Sequence, residues 1–285
     1  MRRESECYLG LERAPSDKAR LSAVLRDAYR YARTGRHAAL PDPGRPWRIW
    51  DLDAELRYRP VVDALPAIDL PICDVGSGRA GIAAWTSRPV IGVDPGEDDR
   101  HGAGVQPPNM TRVQSDGAHL PLGDASMCAA IAVDTFEHIP PADRQAVVDE
   151  MKRVTAPGGR VIIIGPASPE AAIGDRRLLD RWTASDPDNP VVGWLSEHVE
   201  NGLPSVTELV ALLGRERVTA VRTQGVFNLR LWWLMHRRAM NDFPHVRGSH
   251  RVHHLTWGVV GVAARRWQRG PFYRHMVIAD IGPAA

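Results

Sequence analysis

The stretch LPICDVGSGRAGIAAW (Leu70–Trp85) holds a short apolar run, an aspartate, three glycines and a second apolar run. The first run predicts a buried strand that ends at Asp74, and the second predicts a helix. Because glycine has no side chain, the backbone at Gly76 and Gly78 can approach a ligand closely. Amides at the start of a helix would also face any anionic group on that ligand. The stretch therefore predicts a strand, a ligand-binding turn and a helix.

Four aspartates, Asp74, Asp94, Asp116 and Asp134, follow one another at intervals of 20, 22 and 18 residues. Each lies at or just past the end of a short apolar run, and each interval has room for one helix and one strand. This pattern predicts a parallel sheet that is wound by helices and covered on both faces. Ligands of such sheets bind beyond the carboxyl ends of the strands. We therefore expect the four carboxylates to converge on one site.

The apolar runs predict the strands of an α/β fold. They lie at 70–74, 89–94, 111–114, 128–134, 160–165, 217–223 and 272–280. The third run is the weakest of these. The segment SVTE (Ser205–Glu208) has the form of a capping box, so it predicts the start of a short helix before the sixth run.

The glycine turn by itself fits more than one cofactor. Gly76, Gly78 and Gly81 match the GxGxxG pattern of dinucleotide sites, and Asp94 stands about where a ribose-binding acid belongs. A nicotinamide-dependent oxidoreductase is therefore one interpretation. Asp74, however, stands two residues before the first glycine, where its carboxylate can meet the ammonium group of an amino acid. This position favours a ligand that carries an amino-acid moiety.

A second feature also separates the two interpretations. Asp116 and Gly117 follow the third predicted strand in SDGAHLPL. At that place a side chain can accept a hydrogen bond from the exocyclic amine of adenine while a backbone amide meets the ring. The pair favours a cofactor that contains both an amino acid and adenine.

From Pro71 to Pro166 the chain resembles the class I S-adenosylmethionine-dependent methyltransferases. The resemblance is greatest to the methyltransferase type 11-like group, which includes small-molecule methyltransferases of ubiquinone and natural-product pathways. It rests on four motifs, which are DVGSGRAG, SDGAHLPL, VDTFEHIP and TAPGGRVIIIG. The resemblance implies a Rossmann-like, seven-stranded, doubly wound sheet whose last strand is antiparallel. It also implies S-adenosyl-L-methionine as the cofactor.

The same resemblance assigns contacts to the cofactor. The turn with Asp74, Gly76 and Gly78 would wrap the methionine end, and Asp94 would bind the ribose hydroxyls. Asp116 and Gly117 would hold adenine, and Asp134 would lie beside the methionine moiety. One departure is Ala80, because the family usually has glycine there. Alanine is small, so we expect only a modest effect on binding.

The segments around this core predict a cap and two insertions. Residues 1–66 contain two helical patterns, so we expect an N-terminal helical cap on an S-adenosylmethionine-binding domain at 67–285. Insertions on the substrate side are expected at 166–204 and 225–271. The second insertion has helical patterns rich in tryptophan and arginine within 228–269. It suits a pocket lid, a peripheral contact with a membrane surface, or a hairpin packed on the core.

Two histidines are the candidate catalytic residues. His138 follows the fourth predicted strand, and His198 lies in the first insertion; either can serve as a general base near neutral pH. Packing or helix-start roles also fit both residues, and methyl transfer can proceed by proximity alone. The sequence predicts no metal site, because the histidines at 245–254 have no carboxylates or cysteines at ligand spacing.

Composition narrows the functional class. Basic and acidic residues number 36 and 34, giving a net charge of +2, and the fourth strand ends in DTFE. Both features disfavour nucleic acid as the substrate. The start of the chain lacks a secretory signal, which predicts a cytoplasmic protein. We expect methyl transfer to a small molecule such as a natural-product intermediate, a sugar or a lipid-linked glycan. A nicotinamide-dependent oxidoreductase and a non-catalytic S-adenosylmethionine-binding protein remain alternatives.

Overall fold

The structure is a computed structural model that describes residues 49–78, 80–96, 106–236 and 269–283. Its elements in chain order are α1 (Ile49–Ala64), β1 (Ile72–Val75), a 3-10 helix (Gly81–Ala84), β2 (Val90–Asp94), β3 (Met110–Gln114), β4 (Met127–Val133), α2 (Arg144–Val154), β5 (Thr155–Pro166), α3 (Pro169–Ser185), α4 (Pro190–Asn201), α5 (Val206–Leu213), β6 (Val218–Asn228), α6 (Leu229–His236) and β7 (Phe272–Ile281).

All seven strands belong to one sheet in the order β3-β2-β1-β4-β5-β7-β6. Strands β1 to β5 pair in parallel, and β7 is antiparallel to both β5 and β6. The strand order reverses between β1 and β4, so the loops after these strands diverge and leave a crevice at their carboxyl ends. The Rossmann-like sheet expected from the sequence is confirmed, including its antiparallel last strand.

The central strands are buried because helices cover both faces of the sheet. Every residue of β4 is buried, as its continuous apolar run predicts. One face packs against α2 and α5, with Val148, Met151 and Leu209 in the core. The other face packs against α1 and the 3-10 helix through Val61 and Ile82. By contrast, β3 lies at the edge of the sheet and leaves three of its five residues exposed or nearly so, which agrees with its weak pattern.

A third hydrophobic cluster covers the carboxyl edge of the sheet. It joins α3, α4 and α6 to the end of β6 and the start of β7. Leu178, Leu195 and Trp232 are buried in it, and the Trp232 ring stacks on Tyr273 with centroids 3.8 Å apart. The segment predicted as the first insertion therefore forms a helical layer beside the ligand crevice.

Two elements differ from the sequence predictions in kind or in extent. The helix after the glycine turn is a 3-10 helix of four residues, since the backbone at Gly81 has a positive φ and the amide of Ile82 bonds to a carboxylate instead of a helical carbonyl. Strand β6 extends to Asn228, because its last residues pair with the start of β7. Residues 225–228, which the sequence predicted as the start of the second insertion, therefore belong to β6. The capping box at Ser205 and Glu208 is present as predicted.

Other predicted features lie outside the described residues. These are the helix expected at 16–34, the histidines at 245–254 and most of the tryptophan- and arginine-rich insertion. The described part of the cap is α1, which packs on the sheet. No helix in the described part of the chain has the length and apolar character needed to cross a membrane.

Candidate functional site

The turn after β1 requires glycine at three positions. Gly76, Gly78 and Gly81 have φ values of +73°, +54° and +46°, which side-chain-bearing residues rarely adopt. A Cβ at Gly76 would lie 2.5 Å from Thr135 Cγ2, and one at Gly81 would lie 1.9 Å from Asp74 Oδ2. The absence of side chains therefore lets the turn pack closely against Thr135 and against the carboxylate of Asp74.

Asp74 is enclosed at the end of β1, with 1% of the residue exposed. Its Oδ2 accepts a hydrogen bond from the Ile82 amide at 2.7 Å. Burial, with a contribution from the charge of Asp94, raises the pKa of Asp74 to about 7. Near neutral pH this carboxyl group is therefore divided between its acid and its carboxylate form.

Asp94 ties the turns after β1 and β2 together. Its Oδ2 accepts from the Gly78 amide at 2.9 Å, and its Oδ1 accepts from the Gly96 amide at 3.1 Å. The two contacts place this carboxylate directly against the glycine turn. The sequence predicted that Asp74 and Asp94 would meet at one site, and the structure brings them to the same turn.

Asp116 and Gly117 lie further out, beyond β3. The Asp116 side chain is 67% exposed, and its Oδ1 accepts from the amide of Ala118 at 2.9 Å. A Cβ at Gly117 would lie 2.9 Å from Val75 Cγ1. Gly117 thus allows the loop after β3 to pass close to the end of β1. The Asp116 carboxylate accepts its hydrogen bond from within the same loop.

Asp134 marks the end of β4 and has an unusual backbone, with φ at +48°. Arg274 donates to both carboxylate oxygens, with Nε 2.8 Å from Oδ1 and Nη2 2.7 Å from Oδ2. Arg57 of α1 adds a contact of 2.9 Å to Oδ2. These two guanidinium groups outweigh the effect of burial and hold the pKa of Asp134 well below its usual range. Asp134 is therefore an anchor that joins β4, β7 and α1.

Besides Arg57, helix α1 brings Tyr58 close to the ends of β1 and β4. Tyr58 stacks on Trp85 with ring centroids 5.8 Å apart, and Arg57 lies 5.2 Å above the Tyr58 ring. Burial raises the pKa of Tyr58 to about 12, and the charges of Asp74 and Asp134 act in the same direction. Helix α1 thus lies against the two carboxylates at the ends of β1 and β4.

His138 and His198 lie side by side, with ring centroids 4.8 Å apart. His138 Nδ1 is 2.6 Å from Glu197 Oε2, and His198 Nδ1 is 2.9 Å from Asp175 Oδ2. Burial and the neighbouring His198 lower the pKa of His138 despite the contact with Glu197. For His198, burial acts to lower the pKa, but the hydrogen bond to Asp175 and the charge of Glu137 raise it overall.

The Asp175 carboxylate is fully buried and has a second partner. Its Oδ1 accepts from the Tyr273 hydroxyl at 2.8 Å. Tyr273 is in turn fixed by its stack on Trp232. A continuous set of contacts therefore runs from the core of the third hydrophobic cluster to His198.

Glu137 is a residue of this site that the sequence did not indicate. Only 1% of it is exposed, and its Oε2 has no hydrogen-bond partner among the described residues. Burial and the charge of Asp134 raise the pKa of Glu137 to about 8. Its position beside His138 in FEHIP was the available signal. A glutamate next to a histidine at a strand end is too common, however, to show that it faces inward.

Several partners of these side chains come from distant segments of the chain. Asp175, Glu197 and Arg274 reach the site from α3, α4 and β7, and no spacing in the sequence links them to β4. Arg274 pairs with Asp134 because β7 runs antiparallel beside β5, which brings the start of β7 to the carboxyl edge. These contacts depend on the sheet order, which local patterns do not contain.

Comparison with known proteins agrees with this geometry. A family model of a methyltransferase domain matches residues 73–163. An uncharacterized methyltransferase of Mycobacteroides abscessus is 35% identical over 100 residues, covering 32% of this chain and 38% of that protein. Methyltransferase GfsG of Streptomyces halstedii is 31% identical over 113 residues, covering 32% of this chain and 36% of that protein. The similarity thus spans less than two fifths of either relative.

Solved structures share the fold over a greater length. A SAM-dependent methyltransferase from Archaeoglobus fulgidus superposes with a TM-score of 0.50 at 15% identity, covering 80% of this chain and 93% of that chain. A chain from the complex of the Haloferax volcanii Trm112 methyltransferase activator with a methyltransferase superposes with a TM-score of 0.50 at 14% identity, covering 90% and 98%. The domain match and the shared fold confirm the resemblance to class I methyltransferases. S-adenosyl-L-methionine as cofactor agrees with both.

Proposed function

We propose that this protein transfers a methyl group from S-adenosyl-L-methionine to a small-molecule acceptor. The observation that carries the proposal is the glycine turn after β1. The buried carboxyl group of Asp74 accepts a hydrogen bond from the Ile82 amide at the end of this turn, and Asp94 accepts one from the Gly78 amide in its middle. S-adenosyl-L-methionine supplies a methyl group that its sulfonium already activates. The protein therefore has mainly to orient the acceptor and exclude water.

The residues of the first four strand ends fit this cofactor. Gly76 and Gly78 have no side chains and positive φ values, which supports close approach of a ligand to this backbone, and Asp74 offers a carboxyl group for an ammonium. Asp94 is assigned to the ribose hydroxyls, with Asp116 and Gly117 assigned to adenine. For Asp134 we propose a shaping role beside the methionine moiety, because its carboxylate already binds two arginines.

His138 and His198 are proposed to act on the acceptor. Each ring is fixed through Nδ1 by a carboxylate, which leaves Nε2 as the nitrogen that can take a proton. His138 has the lowered pKa, so it is neutral near pH 7 and suited to that step. Helices α3, α4 and α6 lie over this end of the sheet and provide an aromatic, partly apolar wall.

The acceptor proposed is a natural-product intermediate, a sugar or a lipid-linked glycan. The nearly balanced charge and the DTFE sequence after β4 support a small molecule over nucleic acid. A helical layer over the carboxyl edge of the sheet is also a common place for residues that select an acceptor.

Calorimetry with the purified protein tests the cofactor assignment. S-adenosyl-L-methionine should bind, NADH should not, and Asp94→Ala should abolish the binding. Glu216→Ala is the matched control, because this exposed carboxylate precedes β6 at the opposite edge of the sheet. Binding of NADH alone would favour an oxidoreductase and overturn the proposal. Binding of S-adenosyl-L-methionine with no turnover in a broad acceptor screen would favour the non-catalytic alternative.

A further inference from the structure

We infer that Glu137, His138 and His198 form a binding site for a divalent transition-metal cation. The ligand atoms that these three residues offer lie within 4.8 Å of one another. The inference goes beyond the proposed function, because cation binding requires neither the cofactor nor the acceptor. It also departs from the sequence prediction of no metal site, which had considered only the histidines at 245–254.

The carboxylate of Glu137 is the first observation. It is buried at the end of β4, and its Oε2 lacks a hydrogen-bond partner within the part of the chain that the structure describes. A buried polar oxygen without a partner is costly, and buried carboxylates in proteins are normally paired or coordinate a metal. A cation between Glu137 and the two rings would supply the missing partner.

The second observation is the orientation of the two imidazoles. Both rings present Nδ1 to a carboxylate, Glu197 for His138 and Asp175 for His198. This leaves Nε2 as the nitrogen that each ring can offer to a cation. Histidines that bind metals usually donate the other ring N–H to a carboxylate, which fixes the tautomer and strengthens the ligand.

Asp175, the carboxylate that contacts His198, is itself held in place. Asp175 is fully buried and accepts a hydrogen bond from Tyr273, so the position of His198 is fixed through β7. A packing role explains a single carboxylate–histidine pair. It does not explain two such pairs that converge on a third, unpartnered carboxylate.

The donor set indicates the class of cation. Two imidazoles and one carboxylate suit Zn²⁺, Fe²⁺, Co²⁺ or Mn²⁺, whereas Mg²⁺ and Ca²⁺ prefer oxygen ligands. Ligand atoms bound about 2.1 Å from one tetrahedral cation lie roughly 3.4 Å apart, so small side-chain rotations would close the cluster. Three protein ligands also leave coordination positions for water or for an oxygen of the acceptor.

The site lies beside the proposed acceptor position. With a cation bound, the Nε2 atoms of both rings would coordinate the cation and could not accept a proton. An acceptor hydroxyl on the cation would then lose its proton to water more readily, because the positive charge stabilises the oxyanion.

Titration of the metal-free, full-length protein with Co²⁺ tests the inference. We expect one equivalent to bind, with the visible absorption of Co²⁺ held by nitrogen and oxygen ligands. Glu137→Gln, which keeps the size of the side chain, should lose the stoichiometric binding. His138→Gln should do the same, and its side chain is 32% exposed, so this variant tests the site even if the buried position does not tolerate change.

Two controls separate this site from other histidines. His275→Gln changes a described histidine outside the cluster and should bind Co²⁺ as the wild type does. Replacement of His245, His250, His253 and His254 by glutamine should also leave binding intact. Glu197→Ala should weaken Co²⁺ binding about ten- to a hundredfold without abolishing it, as expected for a residue that positions a ligand.

The inference is overturned if no equivalent of Co²⁺ binds, or if binding persists in both Glu137→Gln and His138→Gln. It is also overturned if binding disappears when the four histidines at 245–254 are replaced. Circular dichroism shows which variants are folded. Failure of this test leaves the S-adenosyl-L-methionine titration unaffected, so the two proposals can fail separately.

Discussion

The carboxyl group of Asp74 shows how one enclosed side chain can link the fold to ligand binding. Its pKa of about 7 results chiefly from burial, and it accepts a hydrogen bond from the amide of Ile82 in the 3-10 helix. An ammonium group placed beside it would favour the carboxylate and lower that pKa. The protonation state of Asp74 and the affinity for an amino-acid ligand should therefore depend on each other.

We expect the affinity for S-adenosyl-L-methionine to be lower at pH 6 than at pH 7.5. The free protein holds a proton on Asp74 below pH 7, and this proton must leave when the ammonium binds. The loss approaches about tenfold per pH unit below the free pKa. Calorimetry at pH 6 in two buffers of different ionisation enthalpy should show proton release. In Asp74→Asn both the release and the pH dependence should vanish; if they persist, another group is responsible.

Gly81→Ala should destabilise the protein by about 1 to 3 kcal/mol, because it places a side chain in a left-handed conformation. The new Cβ would also lie 1.9 Å from Asp74 Oδ2, so the turn must move and ligand binding should weaken. Urea unfolding measures the first effect and calorimetry the second. Gly193→Ala is the matched control, since nothing lies within 4 Å of a Cβ there. In helix α4 this change should be neutral or stabilising by up to about 1 kcal/mol. Equal losses in the two variants would contradict the account of the turn.

At the level of elements, β7 performs two tasks. It fills the gap between β5 and β6 in the sheet, and its first residues deliver Arg274 and Tyr273 to the carboxyl edge. The end of β4 is thereby fixed from a strand that is not its neighbour.

Arg274→Ala should lower the free energy of unfolding by about 3 kcal/mol, because among the described residues it leaves Arg57 as the one charged partner of the Asp134 carboxylate. The side chains of Arg274 and Asp134 are 6% and 13% exposed, so this ion pair is largely buried. Arg222→Ala is the matched control, since it removes an exposed arginine from Asp280 and should cost less than about 1 kcal/mol. Since the pKa of Asp134 is lowered on folding, its stabilising contribution is present above the unfolded pKa and lost in acid. The difference between wild type and Arg274→Ala should therefore shrink as the pH falls below about 4.

The sequence predicted the elements better than their contacts. Continuous apolar runs gave β1, β2, β4 and β5, because strands buried on both faces need such runs. The sequence did not indicate that β6 continues to Asn228, since that extension depends on pairing with β7. For the same reason it indicated His138 and His198 but not their contacts with Glu197 and Asp175, which lie on helices brought near by the third hydrophobic cluster.

For the whole molecule, the proposed cofactor site depends on loops from four parallel strands. A ligand bound there contacts the folded state only, so it should stabilise the complete domain and not one segment. The described part of α1 takes part as well, because Arg57 and Tyr58 lie against Asp134 and Trp85.

S-adenosyl-L-methionine at a hundred times its dissociation constant should raise the free energy of unfolding by about 2.7 kcal/mol. Thermal unfolding should show a rise in midpoint that increases with ligand concentration. NADH at equal concentration should give no rise, and Asp94→Ala should remove the rise given by S-adenosyl-L-methionine. A rise with NADH alone would contradict the assignment of this site.

The place of β7 in the sheet has a consequence for biosynthesis. Arg274 follows Asp134 by 140 residues, and it lies on β7, which is translated after the other six strands of the described sheet. At typical translation rates the nascent chain would wait about 7 to 28 s between the two. Until then β6 has no strand beside it and the Asp134 carboxylate lacks its main partner. The glycine turn is thus translated early, but the crevice becomes complete only when synthesis has passed residue 281.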